Sequence, residues 1–282
     1  MRICFALVAM LFVVQGASAA GQSADASEKP LKPGKTRAIA SPITDHFALR
    51  VSYVPASIDS ELRLDQQAGL PGTDLKVEND LGMSDSTTDG RTEMIIRLRE
   101  RNRLRVDYFK LTRSGDKVLS TPINFGDQTF NVNDRVKSLI DWRQLGFTYT
   151  RSLLRTERFE LGAGLGIYLL EAKVRGEVTA RNVHDQAEGV GPFPTIALDG
   201  TWRISKRWSF NGRAQKFTAH YDQFDGSLAD YHGDVQYRWR RNFALGLGYS
   251  SLRVNLNVDS KDFPGRFKQN VTGPEFFIRA SF

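Results

Sequence analysis

From residue 45 onward the chain alternates apolar and polar positions, the period of two that marks half-buried β-strands. Phe47, Leu49, Val51 and Tyr53 share one parity, against Ala48, Arg50 and Ser52. Met94, Ile96 and Leu98 oppose Arg97 and Arg99, and Leu104, Val106 and Tyr108 oppose Arg103, Arg105 and Asp107. The same alternation runs through residues 160–169, 195–204, 208–215, 234–239, 243–250 and 275–282. One segment breaks phase: Leu145, Phe147 and Tyr149 share a parity that Ile140 and Trp142 do not. A bulge near Arg143 or Gln144, or a strand that extends beyond a bilayer, is expected there. The apolar phase also shifts at Phe217. The pattern predicts about ten strands, with eight to twelve as bounds, because residues 117–133 carry Val118, Ile123, Phe125, Phe130 and Val132, enough for an extra hairpin.

The connections sort by length. Tight turns fall at residues 100–102, 154–157, 205–207 and 240–242, and long polar loops are expected at 55–91, 112–134, 176–192, 222–229 and 255–270. Strict alternation of short and long connections is the habit of an antiparallel, up-and-down transmembrane β-barrel, whose short turns face the periplasm. A closed barrel pairs every backbone group between strands, so it crosses lipid without any long apolar run. The fold class is therefore all-β, a barrel over residues 45–282 in a bacterial outer membrane. Tyr53, Tyr108, Tyr149, Trp202, Trp208, Trp239, Tyr249 and Phe282 stand near strand ends, where interface girdles form.

The opposite faces are charged. Arg97, Arg99, Asp107, Glu160, Asp199, Arg203, Arg213, Asp234, Arg238, Glu275 and Arg279 would line a lumen, where an unpaired charge costs several kcal/mol and mixed signs pair. With about ten strands the lumen is narrow and such side chains largely plug it, which argues against a wide porin. Gly162, Gly164 and Gly166 leave room opposite long side chains.

The first residues read as an address. Met1 and Arg2 precede an apolar run over residues 3–14 and a small-residue site, so residues 1–19 form a secretory signal peptide that is cleaved. Residues 20–44, rich in Ser, Ala, Lys and Pro, form a flexible periplasmic leader. Cys4 is the one cysteine, and its removal leaves no thiol for a disulfide, a cysteine nucleophile or a zinc-thiolate site. Lys and Arg number 39 against 32 Asp and Glu, for a net charge of +7. Much of the excess (Arg99, Arg101, Arg103, Arg151, Arg155, Arg158, Lys206, Arg207, Arg240 and Arg241) gathers at the short-turn side, where guanidinium groups reach phospholipid phosphates. Export argues against nucleic acid as a partner.

The C-terminal residues Phe276, Ile278, Ala280 and Phe282 resemble the terminal strand of bacterial outer-membrane β-barrels, which end in Phe with apolar residues at every second position. That resemblance implies periplasmic chaperones and the barrel-assembly machinery as partners. Residues 142–145, 159–166 and 228–232 are similar to stretches of exported Gram-negative proteins, a likeness that carries no activity with it.

Chemistry is sparse. Asp230 and His232, two apart on one strand face, suit a carboxylate that orients a base. The pair resembles the Asp-x-His part of omptins, ten-stranded outer-membrane proteases that also need a facing acidic pair; Glu78, Asp80 and Asp85 are the nearest candidates. His46 and His184 read as solvated surface, and no His-x-Ser pair suggests a lipid deacylase. Asp80, Asp85 and Asp89 supply oxygen ligands but match no calcium-loop spacing, so no metal or cofactor is expected. The expectation is a non-enzymatic outer-membrane barrel, in contact with lipid and lipopolysaccharide, whose surface loops bind a ligand or whose wall braces the envelope. A narrow ion or solute channel and an omptin-like protease using Asp230 and His232 are the alternatives.

Overall fold

The computed structural model describes residues 40–66, 71–125, 128–178, 183–221, 224–259 and 264–282. The signal peptide, Cys4, most of the leader and the side chain of His184 lie outside the described residues. Ten long strands form one antiparallel meander: β1 (Phe47–Leu64), β3 (Ser86–Arg99), β4 (Asn102–Val118), β7 (Arg135–Arg155), β8 (Phe159–Val178), β9 (Val183–Arg203), β10 (Trp208–Tyr221), β11 (Phe224–Arg240), β12 (Phe243–Asp259) and β13 (Pro264–Ser281). Pairing of β13 with β1 closes the sheet into a barrel. Four short elements, β2 (Leu75–Lys76), α1 (Val77–Asp80), β5 (Ile123–Phe125) and β6 (Gln128–Phe130), lie in the two longest connections.

The barrel strands run from 14 to 21 residues. A tilted strand needs only about 9–11 to cross a bilayer, so each has length to spare. Polarity divides that length into two bands. Next to the short turns, the outward side chains are apolar and exposed, as at Leu49, Leu98, Leu165, Ile196, Leu247 and Ile278, while Asp107, Glu160, Gln236 and Glu275 point inward and are buried. Every aromatic residue expected in a girdle is exposed. Beyond Tyr53, Tyr108 and Tyr249 the two faces exchange character. Ile58, Leu62, Leu111, Ile140, Trp142, Leu170, Val174 and Leu228 are buried in one inward cluster, and Glu61, Lys110, Thr112, Arg143, Lys216 and Arg253 lie on the outside.

This exchange explains the phase shifts in the sequence. No bulge occurs at Arg143 or Gln144: the β4–β7 ladder runs unbroken, and the β7–β8 ladder shifts only between Ser152 and Leu154. Trp142 and Gln144 both point inward, and the side-chain type changes where the strand passes beyond the apolar band. Phe217 likewise sits in an unbroken ladder and packs against the inward cluster. The expected long loops are corrected by the same observation. Pairing continues to Val178–Val183, Tyr221–Phe224 and Asp259–Pro264, so three of the five are strand extensions.

The extra hairpin exists, outside the barrel ladder. β5 pairs only with β6, and Ile123, Phe125 and Phe130 join the inward cluster with Leu75, Val77, Leu81 and Met83. β5 packs on β1 and β6 on β9, which stand five places apart in the ten-strand ring. The hairpin therefore bridges opposite walls across the far mouth. At the other end residues 40–44, assigned to the leader on sequence grounds, fold into the barrel: Ser41, Pro42 and Ile43 are buried, and Arg97 and Arg155 donate to the Pro42 and Ile43 carbonyls at 3.3 and 3.1 Å.

Two outcomes follow for stability. Trp142, 1% exposed and stacked on Phe267 at 5.7 Å, fills the upper core. Trp142→Ala is expected to cost about 3–5 kcal/mol, read as a lower urea midpoint for the heat-modifiable form on unboiled SDS gels. On the outer surface Lys268 donates to Glu61 at 2.8 Å across the β1–β13 seam and holds that carboxyl below its ordinary value. A depressed carboxylate contributes stability above its ordinary value and loses it as pH falls through the depressed one. Glu61→Gln should therefore lower stability at neutral pH, by under about 1 kcal/mol for a pair this exposed, and match wild type in acid.

Candidate functional site

The inward side chains of the apolar band form a charged lumen in two layers. Nearest the short turns, Arg97 holds Glu160 through both terminal nitrogens, at 2.8 and 2.9 Å, and the Ser152 hydroxyl donates to the same carboxylate. Arg103 lies 3.5 Å from Glu160 and pairs with Asp199. Arg238 and Arg279 meet at Asp45, with nitrogens 2.6 and 3.3 Å from one oxygen. Asp45 thereby ties the folded N-terminal turn to β11 and β13.

In the second layer Arg50 contacts Asp234 at 2.7 Å and Glu275 at 3.0 Å, with its guanidinium 3.5 Å above the Phe277 ring. Arg213 pairs with Glu93, and Arg105 approaches Asp107 at 3.6 Å. His232 is the hub. Its Nε2 lies 2.9 Å from Asp230 and 2.7 Å from Arg213, its Nδ1 lies 3.2 Å from Glu275, and Arg91 contacts the ring. Tyr168 donates to Asp230 at 2.8 Å. Both ring nitrogens have partners in either protonation state, and the residue is 8% exposed. A cavity of about 70 Å³ separates the layers, lined by Arg50, Glu93, Arg103, Arg105 and Asp199 among others. It has room for a few waters.

Of the lumen residues named from sequence, Arg97, Asp107, Glu160, Asp199, Arg213, Asp234, Arg238, Glu275 and Arg279 all point inward and lie within 4.0 Å of an opposite charge. Arg203 pairs at the rim with Glu157 at 3.8 Å. Arg99 is a correction: it is exposed, because the ladder slips between Arg97 and Arg99 at the turn and ends the alternation. Arg103 is another, since it reaches into the lumen rather than to the rim where it was expected. Arg101, Arg151, Arg158, Lys206, Arg207, Arg240 and Arg241 are exposed at the short-turn end. Sequence reasoning omitted Asp45, Arg50, Arg91, Glu93 and Arg105 from the network. The parity of Arg50 with Ser52, and of Arg91 and Glu93 with Arg97, was the signal that could have found them.

The structure brings Asp230 and His232 together and leaves the expected facing carboxylates elsewhere. Glu78 accepts from Arg113 at 2.7 Å and from the Ser60 amide at 3.1 Å. Asp80 accepts from the Lys76 amide, and the Asp85 carbonyl accepts from the Ile58 amide. Phe109, Leu111, Leu170 and Leu228 belong to the apolar cluster beyond the charged layer. His46 and His220 are exposed. Among the described residues no group of three metal-ligating side chains converges. Phe276, Ile278, Ala280 and Phe282 form the outward stripe of β13, and the Phe282 carbonyl accepts from the His46 and Phe47 amides.

No family model and no curated protein matches the chain in sequence. Solved structures do match. The outer membrane protease OmpT from Escherichia coli is similar over 86% of this chain and 98% of its own, at 10% identity and a TM-score of 0.55. Ail, the attachment invasion locus protein of Yersinia pestis, and a Pseudomonas aeruginosa FadL homologue match with TM-scores of 0.34 and 0.33, at 9% identity each. Ail is covered over 99% of its length and the FadL homologue over 93%, against 82% and 88% of this chain. This is the fold of the bacterial outer-membrane β-barrels. At such identity the likeness extends to the fold alone.

The Arg97–Glu160 pair gives a direct test of the network. Arg97→Ala leaves Glu160 buried beside a more distant cation and is expected to cost about 3–5 kcal/mol in urea unfolding. Replacing both residues with Met should recover much of that loss, because no uncompensated charge remains.

Proposed function

We propose that the chain is an integral protein of a bacterial outer membrane and acts without catalysis, as a closed barrel that carries a rigid wall outside the bilayer. A signal peptide ahead of the barrel and the terminal Phe282 stripe support export and insertion through periplasmic chaperones and the barrel-assembly machinery. The short turns then face the periplasm, and the upper band with its polar exterior stands in the extracellular medium. Lipid and lipopolysaccharide surround the apolar band. The outward polar wall and the two folded connections are the surfaces for a ligand or for neighbouring envelope components.

The observation that carries this reading is closure at three levels: the N-terminal turn tied by Asp45, the paired charged layers, and the apolar cluster capped by the β5–β6 hairpin. A conducting path would need all three to move. A hydrolase would need a reachable base, whereas both nitrogens of His232 already have partners and the apolar cluster lies between it and the outside.

Planar-bilayer recording tests the channel alternative: no steady single-channel openings are expected, and regular openings across a range of voltages would overturn the closed-lumen reading. His232→Ala tests the protease alternative. Peptide cleavage should be equally absent from wild type and variant, and cleavage that the substitution abolishes would establish an omptin-like enzyme.

A further inference from the structure

On the outer wall, β8 to β12 form an open apolar groove of about 590 Å³. Its floor is the row in which Gly200, Gly212 and Gly233 stand side by side on paired strands, with Leu198, Tyr231 and Tyr249 around it. The barrel itself does not require glycine there. A Cβ at Gly233 would meet nothing within 4 Å, and at Gly212 and Gly200 the nearest atoms stand at 3.8 and 3.9 Å. By contrast, a Cβ on Gly164 would collide with the Tyr149 carbonyl and one on Gly246 with the Phe277 ring.

The rim of the groove is charged. Ala214, Tyr231 and Ser251 form the next row toward the far mouth, and Lys216, Ala229 and Arg253 the row beyond it. Lys216 and Arg253 thus flank a small residue, with Cα atoms roughly 9–10 Å apart across two strand spacings. Both are exposed, and neither has an ion-pair partner among the described residues. Three other cations of the outer surface are engaged: Arg143 by Asp141, Lys173 by Glu171 and Lys268 by Glu61. The Ser251 hydroxyl, between rim and floor, is shielded and has no hydrogen-bond partner among the described residues.

We propose that this groove binds a phosphorylated glycolipid of the outer leaflet, with a phosphate between Lys216 and Arg253 and an acyl chain laid over Gly212 and Gly233. The assignment rests on the outer-membrane reading above, which puts the cations at the extracellular edge of the bilayer. Paired cations attract a phosphate at a membrane surface, where each contributes on its own. A flat glycine floor lets an acyl chain approach the backbone closely and bury apolar surface on both partners. A gap spanned from two strands suits a headgroup broader than a single phosphodiester.

The test uses the full-length barrel extracted in nonionic detergent, with lipid A and phosphatidylglycerol as separate probes and binding read from the shift in thermal unfolding. Lipid A is expected to bind wild type, and Lys216→Gln with Arg253→Gln to weaken it by about thirtyfold. Gly212→Leu with Gly233→Leu should also weaken binding while both cations stay in place. These side chains point outward into open space, so heat-modifiable mobility should persist in every variant. Lys268→Gln, on a paired cation, should leave binding unchanged. Equal lipid A binding by wild type and both double variants, or none by wild type, overturns the site. Equal affinity for phosphatidylglycerol overturns the choice of glycolipid. Failure of the outer-membrane reading shows separately, as a wild type that fractionates with soluble periplasmic proteins and lacks heat-modifiable mobility.

Discussion

Backbone pairing around a closed ring is the constraint from which everything else in this molecule follows. Once each strand is fixed in register on both sides, every side chain is assigned irrevocably to the inside or the outside. A chain under that rule cannot adapt to a new environment by turning a strand over. It adapts by changing residue types within an unaltered geometry, as β1 does in passing from Arg50 and Ser52 to Ile58 and Leu62 on its inner face. The upper band is thus an ordinary apolar-cored barrel, and the lower band is its inverse, on the same ten strands.

The charged layers are the consequence of inversion. A wall whose outer face must be apolar has its polar residues inside, and a ring of ten strands is too narrow to leave them in bulk water. They therefore neutralise one another. Arg50 shared between Asp234 and Glu275, and Asp45 shared between Arg238 and Arg279, are two such knots, each joining strands distant in sequence. His232 belongs to this arrangement. Its contacts to Asp230 and Glu275 tie β11 to β13 within the second charged layer.

The fold was legible because alternation survives in a single sequence: Leu49 to Tyr53, Leu161 to Leu169 and Phe276 to Phe282 each declare their face without help. The upper band was harder to read, since its alternation has opposite polarity and the outward Lys110, Arg143 and Arg253 look like loop residues until their apolar neighbours are placed inside. The network was legible in part for a related reason. Arg238 and Glu275 interrupt obvious apolar stripes, whereas Arg91 and Glu93 lie in a polar stretch where parity alone distinguishes lumen from surface. The hairpin of Ile123 and Phe130 could be suspected from its apolar content, but nothing local says that it spans the mouth. The folding of Pro42 and Ile43 into the other mouth depends on Arg97 and Arg155, far away in the chain, and carries no local signal.

The seam between the first and last strands has a temporal meaning. The amides of His46 and Phe47 find their acceptor on Phe282, just past β13. No partial chain growing from the N-terminus can form that contact, and without it β1 keeps one edge of unpaired backbone groups. The other pairings of the ring join strands adjacent in sequence, and this one contact joins its first and last strands. Until β13 is in place the other strands constitute an open sheet with two unpaired edges.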